Sequence, residues 1–160
     1  MHAKPGSSAM AIRSASSEDL PQLLGLYLHL NPADQFPSLE IAERRLEELH
    51  RYRGSAILVG IANSSLIVSC TLIVNPNLTR GGLPYGLIEN VVTHADHRGR
   101  GYGKQILEAA VAVAWEADCY KVMLMTGSTK PSTLAFYASA GFEQSKTGFQ
   151  IRRPQHVAPD

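Results

Sequence analysis

Hydrophobic residues recur along the chain with two different periods, which divide it into helices and strands. Where leucines repeat every three to four residues, as they do after Ser17, the pattern predicts an amphipathic helix. Where β-branched residues run together, the pattern predicts a strand, and a short polar break between two such runs predicts a hairpin. The predicted elements are, in order, a strand at 10–13, helices after 17 and at 38–52, strands at 56–61, 66–74 and 86–93, a helix at 104–118, a strand at 122–125, a helix at 131–140, and closing strands at 142–143 and 149–152.

The order of these elements predicts an α/β fold built on a mixed sheet. Strand–helix–strand units late in the chain give parallel strand pairs, because the helix carries the chain back to the same end of the sheet. We therefore expect a central, partly parallel sheet of six to seven strands, flanked by about four helices, with Trp115 in the core. Residues 10–153 form a single domain in this prediction, between a flexible tail at 1–9 and a C-terminal tail at 154–160.

The composition is ordinary for a globular protein: 44% of the 160 residues are hydrophobic, 18% are charged, and the formal net charge is +1. This balance disfavours a nucleic-acid-binding protein, which usually carries a basic face. No apolar run approaches the roughly 20 residues of a membrane helix, and the start lacks a signal peptide's apolar core, so we expect a cytoplasmic protein without membrane contact. Cys70 and Cys119 lack metal or CxxC spacing and predict two buried thiols, with a disulfide as the alternative.

The most informative loop is Arg98-Gly99-Arg100-Gly101-Tyr102-Gly103, between a predicted strand and a predicted helix. Glycine lets the backbone turn tightly and lets a ligand approach it closely. The first N–H groups of the following helix have no partners within the helix and lie at the positive end of its dipole, so they bind anions. Arg98, Arg100 and Lys104 add positive charge, although a solvated surface is the alternative for Arg100 and Lys104. The loop therefore predicts a site for a phosphate-bearing cofactor.

Two motifs resemble those of the GNAT acetyltransferase superfamily. The family's cofactor motif, Arg/Gln-x-x-Gly-x-Gly/Ala before a helix, corresponds to Arg98-x-x-Gly101-x-Gly103. Its Tyr-x-x-x-Gly-Phe signature corresponds to residues 137–142. The resemblance implies a GNAT fold, acetyl-CoA (coenzyme A) as cofactor, and N-acetyltransferase activity in which an amine attacks the thioester directly in a ternary complex. It also implies a homodimer, which we expect to pair through the late strands or the hairpin.

Two segments, Ile88–Val92 and Cys119–Val122, are also similar to segments of glucosamine-6-phosphate N-acetyltransferases, which are short single-domain members of the superfamily. Three features differ from those enzymes. Met125 stands on the fifth strand in place of an acidic residue, Thr133 stands four positions before the tyrosine in place of asparagine, and the loop at 126–129 is unlike theirs. The resemblance therefore implies a shared scaffold and cofactor site and leaves the acceptor open.

The resemblance implies roles for the backbone around the cofactor loop. The N–H groups of residues 98–103 would hold the pyrophosphate, and glycine at 101 and 103 would keep a Cβ atom from pushing it away. The backbone of Val91 and Val92 would pair with the pantetheine arm like a strand, and their N–H groups would polarise the thioester carbonyl.

Two side chains are candidates for proton transfer. An alkylammonium must lose a proton before it attacks a thioester, so a base is required. Glu89 is the candidate because its carboxylate interrupts an apolar strand; an outward-facing or arginine-paired carboxylate is the alternative. The leaving thiolate needs a proton, which the tyrosine of the family signature supplies, here Tyr137; a core tyrosine on an amphipathic helix is the alternative.

Other polar residues near the motifs have two interpretations each. Ser128 and Ser132 either hydrogen-bond coenzyme A or cap the helix that follows. His94, Asp96 and His97 precede the glycines, but no fourth ligand follows at metal spacing, so we expect no metal site. His94 is a secondary candidate for relaying a proton, with a solvated loop residue as the alternative.

The acceptor is predicted less sharply than the cofactor. In this fold the first two helices, the loop at 75–85 and the late strands are variable, so we expect the acceptor to bind against them. A small-molecule primary amine is the expected acceptor, with an amino sugar or its phosphate as the specific candidate and a peptide or protein amine as the alternative. A catalytically silent coenzyme A sensor is a further alternative, which the presence of both Glu89 and Tyr137 disfavours.

Overall fold

The computed structural model describes residues 9–154, and a five-stranded mixed sheet lies at its centre. The strands follow sequence order across the sheet; the first four are antiparallel, and the fifth joins the fourth in parallel. The predicted mixed α/β class is therefore confirmed. The strands are β1 (Ala11–Ser14), β2 (Ala56–Ala62), β3 (Ser65–Asn75), β4 (Tyr85–Thr93) and β5 (Val122–Leu124).

Helices pack on both faces of this sheet, as predicted. Leucines of the first two helices form one apolar core with β2 and the end of β4, and the third helix forms a second core on the opposite face. The fourth helix packs beside the third, and Gly141 ends it with a left-handed φ of +91°. The helices in the described part are α1 (Leu20–Tyr27), α2 (Leu39–His50), α3 (Tyr102–Glu116) and α4 (Pro131–Ser139).

A bulge in β4 changes which side chains share a face of the sheet. Thr71 of β3 lies opposite Glu89, whereas Ser69 lies opposite Val92, so β4 carries one extra residue over this stretch. Asn90 sits within it with a left-handed φ of +53°. Because side chains alternate along a regular strand, Glu89 and Val92 would otherwise lie on opposite faces. The bulge places both on the face covered by α1, where Val92 joins the core.

The two predicted closing strands are wrong, because no strand follows α4 within residues 9–154. Phe149 and Ile151 alternate with polar residues, as side chains of a strand do, but they are 93% and 98% exposed. A strand needs an edge to pair with, and the neighbouring β5 is only three residues long. The sheet therefore has five strands instead of the expected six to seven.

Trp115 is also misplaced by the sequence pattern. It is 52% exposed, because α3 faces the sheet with a narrow stripe of small and branched residues that ends at Ala114. Cys70 and Cys119 are buried free thiols, as expected, and burial raises the pKa of Cys70 to about 12. No helix between residues 9 and 154 is long and apolar enough to cross a membrane. The domain boundaries stay a prediction, because the tails lie outside the described residues except for Ala9 and Pro154.

A buried carboxylate fastens β1 to the start of α1, and it gives a stability prediction. Arg13 donates to both oxygens of Asp19, at 2.6 and 2.8 Å, and the Ser16 N–H donates at 2.8 Å. The hydrogen bond from Arg13 is the main reason that the pKa of Asp19 falls from 3.8 to about 2. The Arg13 side chain is half exposed, so solvent screens part of this interaction.

We expect Asp19→Asn to lower the free energy of unfolding by about 1–2 kcal/mol at neutral pH. A carboxyl whose pKa falls on folding stabilises the protein above its unfolded pKa of 3.8 and loses that contribution as the pH falls toward about 2. Urea unfolding across this range should therefore show the two proteins converging. Glu18→Gln, an exposed neighbour, is the control, and an equal difference at all pH values would contradict the assignment.

Candidate active site

The glycine-rich loop joins the end of β4 to the start of α3. A short turn at Ala95–His97 follows β4, and Gly99 and Gly101 then take left-handed φ values of +72° and +83°. No atom lies within 4 Å of a Cβ built at either position, so backbone conformation, and not crowding, requires glycine there. Within the described residues, the N–H groups of residues 99–103 donate no hydrogen bond to the protein. They are available to an anion at the start of α3.

An open edge of β4 begins beside this loop. β5 pairs with β4 only at Gly86–Ile88, so in the part of the chain that the structure describes no strand lies beside the remainder of β4 on that side. Val91 and Val92 belong to this open stretch, and the bulge lies directly before them. An extended ligand can pair with such an edge as an added strand. The free N–H groups of residues 99–103, which we call the anion cradle, are therefore continuous with the open edge of β4, where an extended ligand can pair.

Glu89 and Tyr137 lie on two sides of this opening. Glu89 is partly buried on β4, and Tyr137 is partly buried on α4, where its ring packs 5.0 Å from that of Phe136. Burial raises the pKa of Tyr137, and the charge of Glu89 raises it further. Both effects keep the phenol of Tyr137 protonated at neutral pH.

The comparisons with known proteins agree with this geometry. Residues 23–142 match the model of the Acetyltransferase (GNAT) family. The chain belongs to the GNAT family. It is therefore an N-acetyltransferase whose acetyl donor is acetyl-CoA. The free N–H groups of residues 99–103 and the open edge of β4 fit such a donor.

Similar proteins cover most of the chain. The glucosamine 6-phosphate N-acetyltransferase of Trypanosoma brucei brucei is 29% identical over 135 residues, which are 83% of this chain and 88% of that protein. Glucosamine 6-phosphate N-acetyltransferase 1 of Oryza sativa subsp. japonica is 33% identical over 140 residues, 84% of this chain and 81% of that protein. A solved structure of a candidate acetyltransferase from Agrobacterium tumefaciens str. C58 is 45% identical, covers 89% of this chain and 99% of its own, and has a TM-score of 0.83.

The basic residues of the glycine-rich loop differ in how many of their contacts are already made within the protein. Arg98 donates from Nε to the Thr93 carbonyl at 3.2 Å and from Nη2 to the His29 carbonyl at 2.9 Å, so it fastens the loop to the chain beyond α1. Lys104 lies 3.8 Å from Glu108 one turn along α3. Arg100 is exposed and forms no ion pair or side-chain hydrogen bond within residues 9–154. Arg100 is therefore the cation of the loop most available to a phosphate.

Three histidines support the same loop, and His29 among them was missed by the sequence analysis. The rings of His29 and His94 lie 4.1 Å apart, and His97 lies 5.6 Å from His94. Nδ1 of His29 accepts the Ala95 N–H at 3.3 Å, and Nδ1 of His94 accepts the Asp96 N–H at 3.2 Å. These bonds define the turn before the glycines. No group of three or more metal-ligating side chains comes together between residues 9 and 154.

The two serines predicted near the cofactor have separate surroundings. Ser128 Oγ accepts the Lys130 N–H at 3.3 Å and lies 3.2 Å from Thr133 Oγ1, so it organises the turn that leads into α4. Ser132 is exposed and forms no side-chain hydrogen bond within the described residues. The geometry of Ser128 favours a capping role, and Ser132 is the freer of the two hydroxyls.

Three further hydroxyls lie on the face of the sheet that carries Glu89: Tyr27 on α1, and Ser69 and Thr71 on β3. We call them the hydroxyl cluster. The sequence pattern does not predict that the two strand hydroxyls share a face with Glu89, because this depends on strand register. Ser69 and Thr71 are buried, and register places Thr71 directly opposite Glu89. The available signal was their alternation within the otherwise apolar run of β3.

Gly103 has a packing reason in addition to the predicted one. A Cβ at this position would lie 3.0 and 3.2 Å from two ring atoms of Phe136, so the glycine lets α4 pack against the start of α3. The predicted need for room beside a phosphate stays a prediction. Gly103 therefore fixes the distance between the anion cradle and the neighbouring Tyr137.

We expect Gly103→Val to weaken acetyl-CoA binding by about tenfold or more and to lower the free energy of unfolding by about 1–3 kcal/mol, because overpacking displaces Phe136 and with it Tyr137. Calorimetric titration and thermal unfolding measure the two effects. Gly25→Ala is the matched control, since a Cβ there meets nothing within 4 Å. Unchanged acetyl-CoA affinity in the folded valine variant would contradict this role.

Proposed function

We propose that this GNAT enzyme transfers the acetyl group of acetyl-CoA to a primary amine of a small molecule, by direct attack in a ternary complex. The observation that carries the proposal is the open edge of β4, which continues from the free N–H groups of residues 99–103 and has Glu89 on β4 itself and Tyr137 on α4. A base and an acid are what acetyl transfer from a thioester to an amine requires.

In this proposal the loop holds the cofactor through its backbone. The N–H groups of residues 99–103 bind the pyrophosphate, and Arg100 adds positive charge. Arg98 and Lys104 contribute the N–H donors that are not already used in contacts within the protein. The His94 N–H donates to the Ile67 carbonyl of β3, and alternation along the strand turns the Val92 N–H toward β3 as well, which leaves Val91 as the donor of this pair for the open edge. The Val91 N–H pairs with the pantetheine arm and stabilises the oxyanion that forms at the thioester carbon, which contributes about 3 kcal/mol when a donor is well placed. Ser132 is exposed near the start of α4 and is a further candidate contact.

The side chains of Glu89 and Tyr137 manage the protons. Glu89 accepts a proton from the acceptor ammonium, directly or through water, and the neutral amine attacks the carbonyl carbon of the bound thioester. As the C–S bond breaks, Tyr137 donates its phenolic proton to the leaving sulfur. Burial favours the protonated phenol, which is the form that a donor needs.

An amino sugar or its phosphate is the acceptor that we propose to test first. The support is the similarity to two glucosamine 6-phosphate N-acetyltransferases over more than 80% of the chain. Met125, which is 61% exposed, and Thr133, which lies beside Ser128, stand where those enzymes carry acidic and amide side chains. These two positions give the acceptor side a less polar character, so related small amines belong in the same panel.

The same proposal includes a homodimer. Met125, Phe149 and Ile151 expose large apolar side chains, and Gly148 lies against Met125, with a built Cβ 3.2 Å from its sulfur. A second copy of the chain would cover these side chains from water, which favours association. Sedimentation equilibrium distinguishes the dimer from a monomer.

Release of free thiol from acetyl-CoA tests the proposed activity. We expect release that depends on a primary amine, measured across amino sugars, their phosphates, small alkylamines and a lysine peptide. Turnover on the peptide alone would favour the protein acetyltransferase alternative. Thermal stabilisation by acetyl-CoA without release on any amine would overturn the proposal and favour a silent sensor.

A further inference from the structure

The hydroxyl cluster lies behind Glu89, on the same face of the sheet. Thr71 and Glu89 are directly opposite each other on antiparallel strands, which places their Cβ atoms about 5 Å apart. Ser69 is the next residue of β3 on this face. Tyr27 of α1 packs over Ser69. Burial raises the pKa of Tyr27, and interactions with the hydroxyls of Thr71 and Ser69 offset part of that rise.

Ser69 and Thr71 are buried in an apolar core, and Tyr27 is partly buried above them. Ser69 is 0% exposed and Thr71 is 8% exposed, beneath leucines of α1. Ser69 Oγ reaches hydrogen-bond geometry with no partner among residues 9–154. Buried polar atoms in native proteins almost always have a partner, and where the protein supplies none, an ordered water with about two to four polar contacts does so.

We propose that the hydroxyl cluster binds an internal water molecule that also hydrogen-bonds the carboxylate of Glu89 and orients it toward the acceptor amine. Tyr27, Ser69 and Thr71 are then positioning residues, since they act through Glu89 and do not touch the reacting atoms. Among the titratable groups, the phenol of Tyr137 on α4 is the one whose pKa the charge of Glu89 raises, and the phenol of Tyr27 on α1 lies beside Thr71 and Ser69; both phenols are protonated and uncharged at neutral pH. This inference rests on the proposed function, because it takes Glu89 as the base.

The test removes one hydroxyl at a time. Thr71→Val keeps the shape of the side chain, and we expect kcat to fall about tenfold, with the KM for acetyl-CoA unchanged and the acidic limb of the rate profile moved to higher pH. Thr71→Ser restores the hydroxyl and should return kcat to within about twofold of wild type. Tyr27→Phe, which is the milder change, should lower kcat in the same way and provides the test if Thr71→Val does not fold.

Ser55→Ala is the matched control. The Oγ atom of Ser55 accepts the N–H of Val74, on the same strand as Thr71, at 2.8 Å. Loss of this hydroxyl lowers the stability of the fold and leaves the surroundings of Glu89 unchanged. If Thr71→Val and Tyr27→Phe behave like Ser55→Ala, with full kcat and an unmoved pH profile, the cluster is only packing and the inference is overturned.

A double-mutant cycle separates this inference from the proposed function. In the Glu89→Gln background, Thr71→Val should cause no further loss of kcat, because the carboxylate that it orients is gone. If Glu89→Gln itself leaves kcat unchanged, Glu89 is not the base and the proposed mechanism fails. If Glu89→Gln lowers kcat while Thr71→Val does not, the mechanism stands and only the water-binding cluster is overturned.

Discussion

We expect Tyr137→Phe to transfer acetyl groups about a hundredfold more slowly than the wild-type enzyme, because the leaving thiolate loses its proton donor. The phenylalanine ring keeps its packing beside Phe136, so acetyl-CoA affinity should stay within about twofold. Steady-state thiol release gives kcat, and calorimetric titration gives the affinity. Burial and the charge of Glu89 both keep the phenol protonated, so the loss should be similar at about pH 7 and about pH 9.

The control for this variant is Tyr120→Phe, between α3 and β5. Tyr120 is partly buried, with Lys121 Nζ 5.3 Å from the centre of its ring, so it has the same phenol as Tyr137 and lies outside the elements expected to bind the acceptor. Full turnover in Tyr137→Phe would remove Tyr137 from the acid role. Equal losses in both variants would point to a general effect on the fold.

We expect Glu89→Gln to have the largest effect of any conservative change, lowering kcat about a thousandfold at neutral pH. Glutamine has nearly the same shape and keeps the cross-strand position opposite Thr71, but its amide cannot accept the proton of the acceptor. The neutral fraction of an alkylamine rises about tenfold per pH unit below its pKa near ~10, so the variant should regain activity as the pH rises. A pH–rate profile for both proteins measures this recovery.

Glu116→Gln, at the exposed end of α3, controls for the loss of one charge. A variant at position 89 that keeps wild-type kcat at neutral pH would identify the carboxylate as structural. A variant that loses kcat but shows no recovery at high pH would contradict a role in deprotonating the amine.

Local patterns in the sequence predict most of the elements and the anion cradle. The β-branched runs became β2 and β3, and the glycines at 99 and 101 adopt the left-handed turns that favour glycine. Such features depend on residues close together in sequence, and period and backbone freedom suffice to predict them. Glu89 and Tyr137 stay predictions: Glu89 because its carboxylate interrupts an apolar strand, and Tyr137 because it stands in the family signature.

Features that depend on distant neighbours could not be predicted in this way. The bulge at Asn90 is defined by the register between β3 and β4, and the need for glycine at 103 comes from Phe136 on another helix. His29 joins the cofactor loop only because α1 ends beside it. The prediction of closing strands was wrong for the same reason, because the alternation of residues 149–152 does not show whether a free edge of the sheet lies beside them.

The guanidinium of Arg98 links the end of β4 to the end of α1. It donates to the carbonyls of Thr93, where β4 ends, and of His29, where the chain leaves α1 toward α2. Remodelling the connection between α1 and α2 to admit a bulkier amine would therefore disturb the grip on the nucleotide as well. We therefore expect substitutions that broaden acceptor choice here to weaken the binding of acetyl-CoA.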